Sequence, residues 1–239
     1  MHPQPKKVPV YFSRIDVNPL APALPVFSSR VVPVIVISDV KQAVPLAHAL
    51  LEGGVDVMEI TLRHAAGLGA IESVAQHVPQ MVVGAGTLTH PHEMQKVKDA
   101  GARFALSPGL TPQLVQAAHE CALPFVPGVM TPSEVMIARE QGFKLLKLFP
   151  AAQAGGLAML KALYGPLSDV RFCPTGGVSL SNMTEFLSLP NVAMVGGSWI
   201  TPLDLIEQGQ WTRITELARQ ATELAMSVRA LGNSGQSTP

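Results

Sequence analysis

Charge is scarce in this chain. Only 14% of its 239 residues are Asp, Glu, Lys or Arg, against roughly 25% in an average soluble domain. The 17 basic and 17 acidic residues cancel to a formal net charge of +0. Without a basic excess or a long basic run, nucleic acid is excluded as the main partner. Cysteine is rarer still. Cys121 and Cys173 are the only two, each in or beside an apolar segment, which fits reduced thiols in the cytoplasm and not a disulfide framework. Long apolar runs are missing as well. The best, Val31–Ile37, is broken by Pro33, far short of the roughly 18 residues that a membrane helix needs. The first 30 residues show no charged start followed by an apolar stretch, and Pro3, Pro5, Pro9, Pro19, Pro22 and Pro25 interrupt them. They read as an extended arm and not as a signal peptide.

What remains is apolar: 47% of the chain is hydrophobic. From Val31 onward, short β-branched runs alternate with helical periodicity. The expected strands are Val31–Ile37, Val55–Leu62, Met81–Ala85, Arg103–Leu106, Pro124–Pro127, Lys144–Phe149, Val170–Cys173 and Val192–Val195. Between them helices are expected over Val40–Glu52, Ala66–His77, His92–Ala100, Pro112–Cys121, Pro132–Gln141, Gly156–Tyr164 and Leu180–Leu189, with a last one over Leu203–Met226. Apolar strands alternating with helices imply a parallel sheet buried on both faces. Eight such units predict a (β/α)8 TIM barrel in a single domain, an α/β fold at the small end of its size range. An open doubly wound sheet would show a glycine-rich turn after an early strand, and Ser38-Asp39-Val40-Lys41 has no glycine. Thr111-Pro112, Thr131-Pro132 and Thr201-Pro202 each offer a capping hydroxyl before a first-turn proline. The chain thus divides into a proline-rich arm over 1–30, a barrel over 31–226 and a polar tail over 227–239.

Two strands carry charge where a barrel tolerates little. In Val57-Met58-Glu59-Ile60-Thr61-Leu62-Arg63, alternation places Glu59, Thr61 and Arg63 on one face. Glu59 then points into the cavity with Arg63 at its lip, either in use or as a structural pair, and the pattern leaves both readings open. Lys147 is embedded in the apolar run Leu145–Phe149. Its ammonium either reaches water at the barrel mouth or is held neutral by desolvation, ready to attack a carbonyl. Lys144 has the opposite parity and lies at the start of the strand. Glycine-rich corners are expected at Gly84-Ala85-Gly86-Thr87, Thr175-Gly176-Gly177 and Gly196-Gly197-Ser198. The last two follow the seventh and eighth strands, where barrels bind phosphate through backbone N–H groups. His90-Pro91-His92 reads as a loop or cap, and no His or Cys cluster supports a metal site.

Taken in order, Glu59-Ile60-Thr61-Leu62-Arg63, Gly84-Ala85-Gly86-Thr87, Ser107-Pro108-Gly109, Lys147-Leu148-Phe149-Pro150, Pro174-Thr175-Gly176-Gly177 and Gly196-Gly197-Ser198-Trp199 resemble the signature segments of the 2-keto-3-deoxy-6-phosphogluconate aldolase and 4-hydroxy-2-oxoglutarate aldolase family. The resemblance runs from about Val31 to Met226. It implies a class I aldolase without metal or cofactor on a (β/α)8 barrel, usually a homotrimer. By resemblance, Lys147 forms the Schiff base, Glu59 moves protons and Thr175 orients the catalytic groups. Arg63 and Thr87 would hold the carboxylate of the pyruvate unit, Pro108 and Phe149 would wall the pocket, and Gly176, Gly177 and Ser198 would receive the phosphate. The chain departs from the family pattern at His64, where a small hydroxyl residue is common, and at Met130, which is larger than usual; both bear on aldehyde preference.

The expected reaction is reversible cleavage of 2-dehydro-3-deoxy-6-phosphogluconate to pyruvate and glyceraldehyde 3-phosphate. The same chemistry on 4-hydroxy-2-oxoglutarate or 2-dehydro-3-deoxy-6-phosphogalactonate is the near alternative. A non-catalytic phosphate-ligand barrel, or a divalent-metal aldolase using Glu59 and His residues, is the distant one. The expected partner is a small phosphorylated 2-keto acid.

Overall fold

The computed structural model describes Pro22 and residues 24–233; expectations for residues 1–21, 23 and 234–239 lie outside these. The parallel strands are β1 (Val31–Ile35), β2 (Val57–Thr61), β3 (Val82–Gly86), β4 (Ala105–Leu106), β5 (Phe125–Val126), β6 (Gly128–Val129), β7 (Leu145–Leu148), β8 (Arg171–Pro174) and β9 (Val195–Gly197). The helices are α1 (Ala43–Glu52), α2 (Gly67–His77), α3 (His92–Asp99), α4 (Pro112–Cys121), α5 (Pro132–Glu140), α6 (Gly156–Tyr164), α7 (Met183–Leu187), α8 (Leu203–Glu207) and α9 (Trp211–Asn233).

Hydrogen bonding orders the strands β5-β4-β3-β2-β1-β9 in one sheet and β6-β7-β8 in another. Two seams join them into a ring. At the first, β5 and β6 are one strand interrupted only at Pro127, which has no N–H to give the ladder. At the second, single bridges pair Phe172 with Val192 and Thr175 with Gly196. The result is the expected (β/α)8 barrel, its fifth strand written in two pieces. Apolar residues on the outer strand faces pack against the helices in the larger core cluster. A smaller cluster of Val32, Val57, Val82, Phe104, Leu106 and Val126 fills the lower barrel interior. This explains why strands such as β2 are buried throughout and do not alternate.

The segment before β1 closes the bottom of this interior. Leu24 and Phe27 pack on the inner cluster, with the Phe27 and Phe104 ring centroids 6.4 Å apart. The Asp56 carboxylate holds that segment by accepting the N–H groups of Ser28 at 2.7 Å and Ser29 at 2.9 Å. Arg30 donates across the floor to the carbonyls of Leu187, Val192 and Ala193.

Several boundaries differ from expectation for local reasons. β2 ends at Thr61, so Arg63 lies in the turn beyond the strand and not on its inner face. Gly84 and Gly86 lie within β3, and Gly196 and Gly197 within β9, not in corners after strands; the eighth barrel strand is Val195–Gly197 and not Val192–Val195. The last expected helix divides at Gly209, whose φ is +64°, into α8 and α9, and α9 continues to Asn233. Thr111 and Thr131 cap α4 and α5 through their hydroxyls, Thr131 with Glu134 in a capping box. Thr201 does not: Pro202 is the cap of α8, and the buried Thr201 hydroxyl has no partner.

On the outside, the Asp169 carboxylate accepts hydrogen bonds at 2.8 Å from both Lys144 and Arg139. It thereby ties the end of α5 and the approaches to β7 and β8. Those two donors, Lys144 first, hold its carboxyl down from the usual 3.8 to about 2. Because the folded value is lowered, the contribution is present above the unfolded pKa and is lost as pH falls through the folded one. Asp169→Asn should therefore flatten the acid limb of thermal stability between about pH 4 and 2. The group is exposed, so the difference in melting temperature should fade in high salt.

Candidate active site

The site lies in the upper barrel interior, above the apolar plug. Inward parity on β2 places Glu59 two residues above Val57, and on β7 places Lys147 two residues above Leu145. The two meet across the cavity. Lys147 Nζ donates to Glu59 Oε1 at 2.9 Å, with the side chains 5% and 1% exposed. The Lys147 head also lies 5.4 Å from the centroid of the Phe149 ring. A buried ion pair adds little net stability over an apolar pair of the same shape. Its retention inside a barrel points to chemistry.

Missing side chains make the room. A Cβ on Gly86 would stand 2.1 Å from Glu59 Oε1, so β3 is bare where the carboxylate lies. A Cβ on Gly84 would fall 2.4 Å from the Phe104 ring, which fills the layer below. Gly196 faces Thr175, whose hydroxyl would be 2.3 Å from an added Cβ. Gly128 is covered by the Pro108–Gly109 turn, with the Pro108 carbonyl 2.3 Å from an added Cβ. Ser107, fully buried, shapes that turn by donating to Gly109 O at 2.6 Å.

Thr175 is 4% exposed and sits at the β8–β9 seam, its hydroxyl donating to Cys173 O at 3.3 Å. Cys173 pairs in register with Lys147 and so shares its inward face. Burial pushes its thiol up to about 12, with the Lys147 charge opposing and the Glu59 charge reinforcing that shift. The register neighbour of Lys147 on β8 is thus a neutral thiol. Thr87, just above β3, has φ +65°. A β-branched residue there stores roughly 1–3 kcal/mol of backbone strain, which marks a position held for a purpose.

At the rim, Arg63 is exposed and its Nε donates to Thr61 Oγ1 at 3.3 Å. Gly176 and Gly177 form the turn after β8 with φ of +93° and +84°. Gly176 O accepts from Ala152 N, and Gly177 O accepts from Asn182 Nδ2, both at 3.0 Å. Both carbonyls of the turn are thus paired within the protein. Ser198 is exposed beside it, past the end of β9. Met130 is exposed just after β6, and His64 beside Arg63 is exposed with Nδ1 accepting the Ala66 N–H at 3.2 Å. His90 and His92 stand apart from the site, at the start of α3, where Glu93 accepts the N–H groups of Thr89 and His90.

The structure therefore joins Lys147 to Glu59 and Phe149 directly, sets Cys173 and Thr175 on the neighbouring strand and lays Pro108 over Gly128, the register partner of Lys147. Arg63, Gly176, Gly177 and Ser198 follow the ends of their strands. Sequence reasoning passed over Thr61 and Cys173 as site residues. The two-residue period that selects Glu59 and Thr175 also selects Thr61, two above the first, and Cys173, two below the second.

Comparison with known proteins gives the family. Residues 26–217 match the aldolase family described as "KDPG and KHG aldolase". A "KHG/KDPG aldolase" from Escherichia coli K12 is 49% identical over 193 residues, covering 81% of this chain and 91% of that protein. A "2-dehydro-3-deoxy-phosphogluconate aldolase" from Dickeya dadantii is 50% identical over 191 residues, covering 80% of this chain and 90% of its own. Among solved structures, KDPG aldolase from Legionella pneumophila, with pyruvate captured as a covalent carbinolamine intermediate, superposes with a TM-score of 0.80 at 46% identity. That match covers 81% of this chain and 94% of the other. With a lysine and a glutamate buried together in a (β/α)8 barrel, and a match spanning nearly all of the barrel, this chain belongs to the KDPG and KHG aldolase family.

Proposed function

We propose that this protein is a class I aldolase that cleaves 2-dehydro-3-deoxy-6-phosphogluconate reversibly to pyruvate and glyceraldehyde 3-phosphate, with Lys147 as the Schiff-base residue. One observation carries the assignment of roles: the Lys147 amine lies 2.9 Å from the Glu59 carboxylate inside the barrel. A proton can pass between them without a water. Glu59 takes the ammonium proton, and the free amine attacks the substrate C2 carbonyl to give a carbinolamine. Glu59 returns that proton to the departing hydroxyl, which leaves as water, so that a protonated imine and a free carboxylate remain. Glu59 then accepts the C4 hydroxyl proton as the C3–C4 bond breaks. The bonding pair flows into the imine as an enamine, and the aldehyde leaves. Proton return to C3 and hydrolysis of the imine release pyruvate and restore the lysine.

The remaining residues hold the substrate along the cavity. Arg63 presents a planar fork to the keto-acid carboxylate, with Thr87 beside it. Pro108 and Phe149 wall the reacting carbons, and Thr175 orients the catalytic groups from the β8–β9 seam. Gly176, Gly177 and Ser198 receive the phosphate through the N–H edge of their turn and a hydroxyl. The Escherichia coli relative carries both substrate names, so 4-hydroxy-2-oxoglutarate is the second substrate to compare, and 2-dehydro-3-deoxy-6-phosphogalactonate the third. A homotrimer belongs to the same proposal. So does a cytoplasmic location, which the free thiols of Cys121 and Cys173 suit; no helix among the described residues is long and apolar enough to cross a membrane.

Borohydride reduction in the presence of pyruvate should attach one pyruvate-derived adduct, mapped to Lys147 by peptide mass spectrometry. Lys147→Arg keeps a cation beside Glu59 and should abolish both adduct and turnover. Bound pyruvate without an adduct would instead support a binding barrel in which the pair is only a salt bridge. Gly86→Ala drives a methyl into the space of the Glu59 carboxylate. It should leave the adduct largely intact yet slow exchange of the pyruvate C3 protons into deuterium oxide by at least about tenfold, the lower range for a lost acid–base group. Cys173, with its thiol pushed up to about 12 by burial, should resist iodoacetamide from pH 6 to roughly pH 9 in the folded protein and react only after unfolding.

A further inference from the structure

Thr61 is fully buried at the top of β2 and is not needed for any chemical step described above. Its hydroxyl nevertheless sits between two functional elements. The Thr61 O–H donates to the Ile35 carbonyl of β1 at 2.8 Å. Because a hydroxyl carries one proton, that bond leaves only lone pairs facing the other way. Arg63 Nε donates to that oxygen at 3.3 Å. Among the described residues the Arg63 guanidinium takes no other hydrogen bond, so its two terminal nitrogens, the pair that matches a carboxylate, are left for a ligand.

The surrounding backbone makes this arrangement directional. The chain leaves the strand at Thr61 and turns at once, with Gly67 packed so tightly that an added Cβ would lie 2.6 Å from the Thr61 carbonyl. The next residue, Leu62, is held to β3 through Gly86 O at 2.9 Å. Arg63 itself is exposed, and a long exposed side chain samples many rotamers and loses entropy when it is fixed. We infer that Thr61 is a positioning residue for Arg63: anchored to β1, its oxygen fixes the guanidinium edge-on so that the Nη1/Nη2 fork faces the carboxylate of a short 2-keto acid. This rests on the reading of Arg63 as the carboxylate holder.

The test is the pyruvate concentration that gives half-maximal borohydride trapping, measured separately from the maximal trapping rate. Thr61→Val keeps the volume and removes the hydroxyl. It should raise the half-saturating pyruvate about tenfold while changing the maximal rate less than about twofold. Thr61→Ser restores the oxygen and should return the wild-type value. In an Arg63→Gln background, Thr61→Val should add nothing further, because the group it positions is gone. Should Thr61→Val fail to fold by circular dichroism, Thr61→Cys, which keeps the size but accepts hydrogen bonds poorly, takes its place with the same expectations. An unchanged half-saturation in the Thr61 variant, or an effect that adds in full to Arg63→Gln, overturns the inference while leaving Arg63 in its role. An unchanged half-saturation in Arg63→Gln alone overturns the Arg63 reading, and the inference with it.

Discussion

A buried amine and carboxylate in direct contact inside the barrel form the constraint around which the rest of this molecule is arranged. Neither Lys147 nor Glu59 gains much by being buried, and each alone would be a costly defect; breaking such a pair by removing one partner costs about 3–5 kcal/mol. Together, at 2.9 Å, they satisfy one another and create a route for a proton that does not pass through solvent. The apolar plug of Val57, Phe104 and their neighbours seals the barrel below. The neutral thiol of Cys173 adds no competing charge beside the amine. The segment carrying Leu24 and Phe27 packs on that plug from below.

Space for the pair is made by subtraction. A barrel of this size fills its interior with side chains, and a cavity opens only where strands present glycine. Gly86 stands where the Glu59 carboxylate lies, Gly196 where the Thr175 hydroxyl lies, and Gly128 where the Pro108 turn crosses. These residues serve by having no Cβ, whereas Gly176 and Gly177 serve by adopting positive φ in the turn after β8. Two kinds of glycine thus build two parts of one site: the reaction chamber from flat strand backbone and the rim from left-handed turns.

The rim is where precision is harder to obtain, because its side chains are exposed. Three of its parts are tied to something rigid. Arg63 leans on a buried hydroxyl anchored to β1. Thr87 is held in a backbone conformation that a β-branched residue adopts only under constraint. The Gly176–Gly177 turn is pinned through both carbonyls. Ordering these groups before a ligand arrives removes part of the entropy that binding would otherwise cost.

Periodicity and composition alone determined the alternation of apolar strands and helices, hence the barrel, and they singled out Glu59 and Lys147 as charges in apolar strands, while leaving open whether each was in use. Thr111 and Thr131 were legible as caps because capping is decided by a few adjacent residues. Other features depended on neighbours distant in sequence. The glycines of β3 and β9 read as corners, since a run of small residues looks alike in a turn and in a strand pressed by Phe104 or Trp199. The end of β2 at Thr61 leaves Arg63 in the turn, where Gly67 approaches the Thr61 carbonyl from six residues on. The contact between β2 and β7 joins residues 88 positions apart, and only ring closure, an outcome of strand twist and register around the whole barrel, could bring that amine and that carboxylate together.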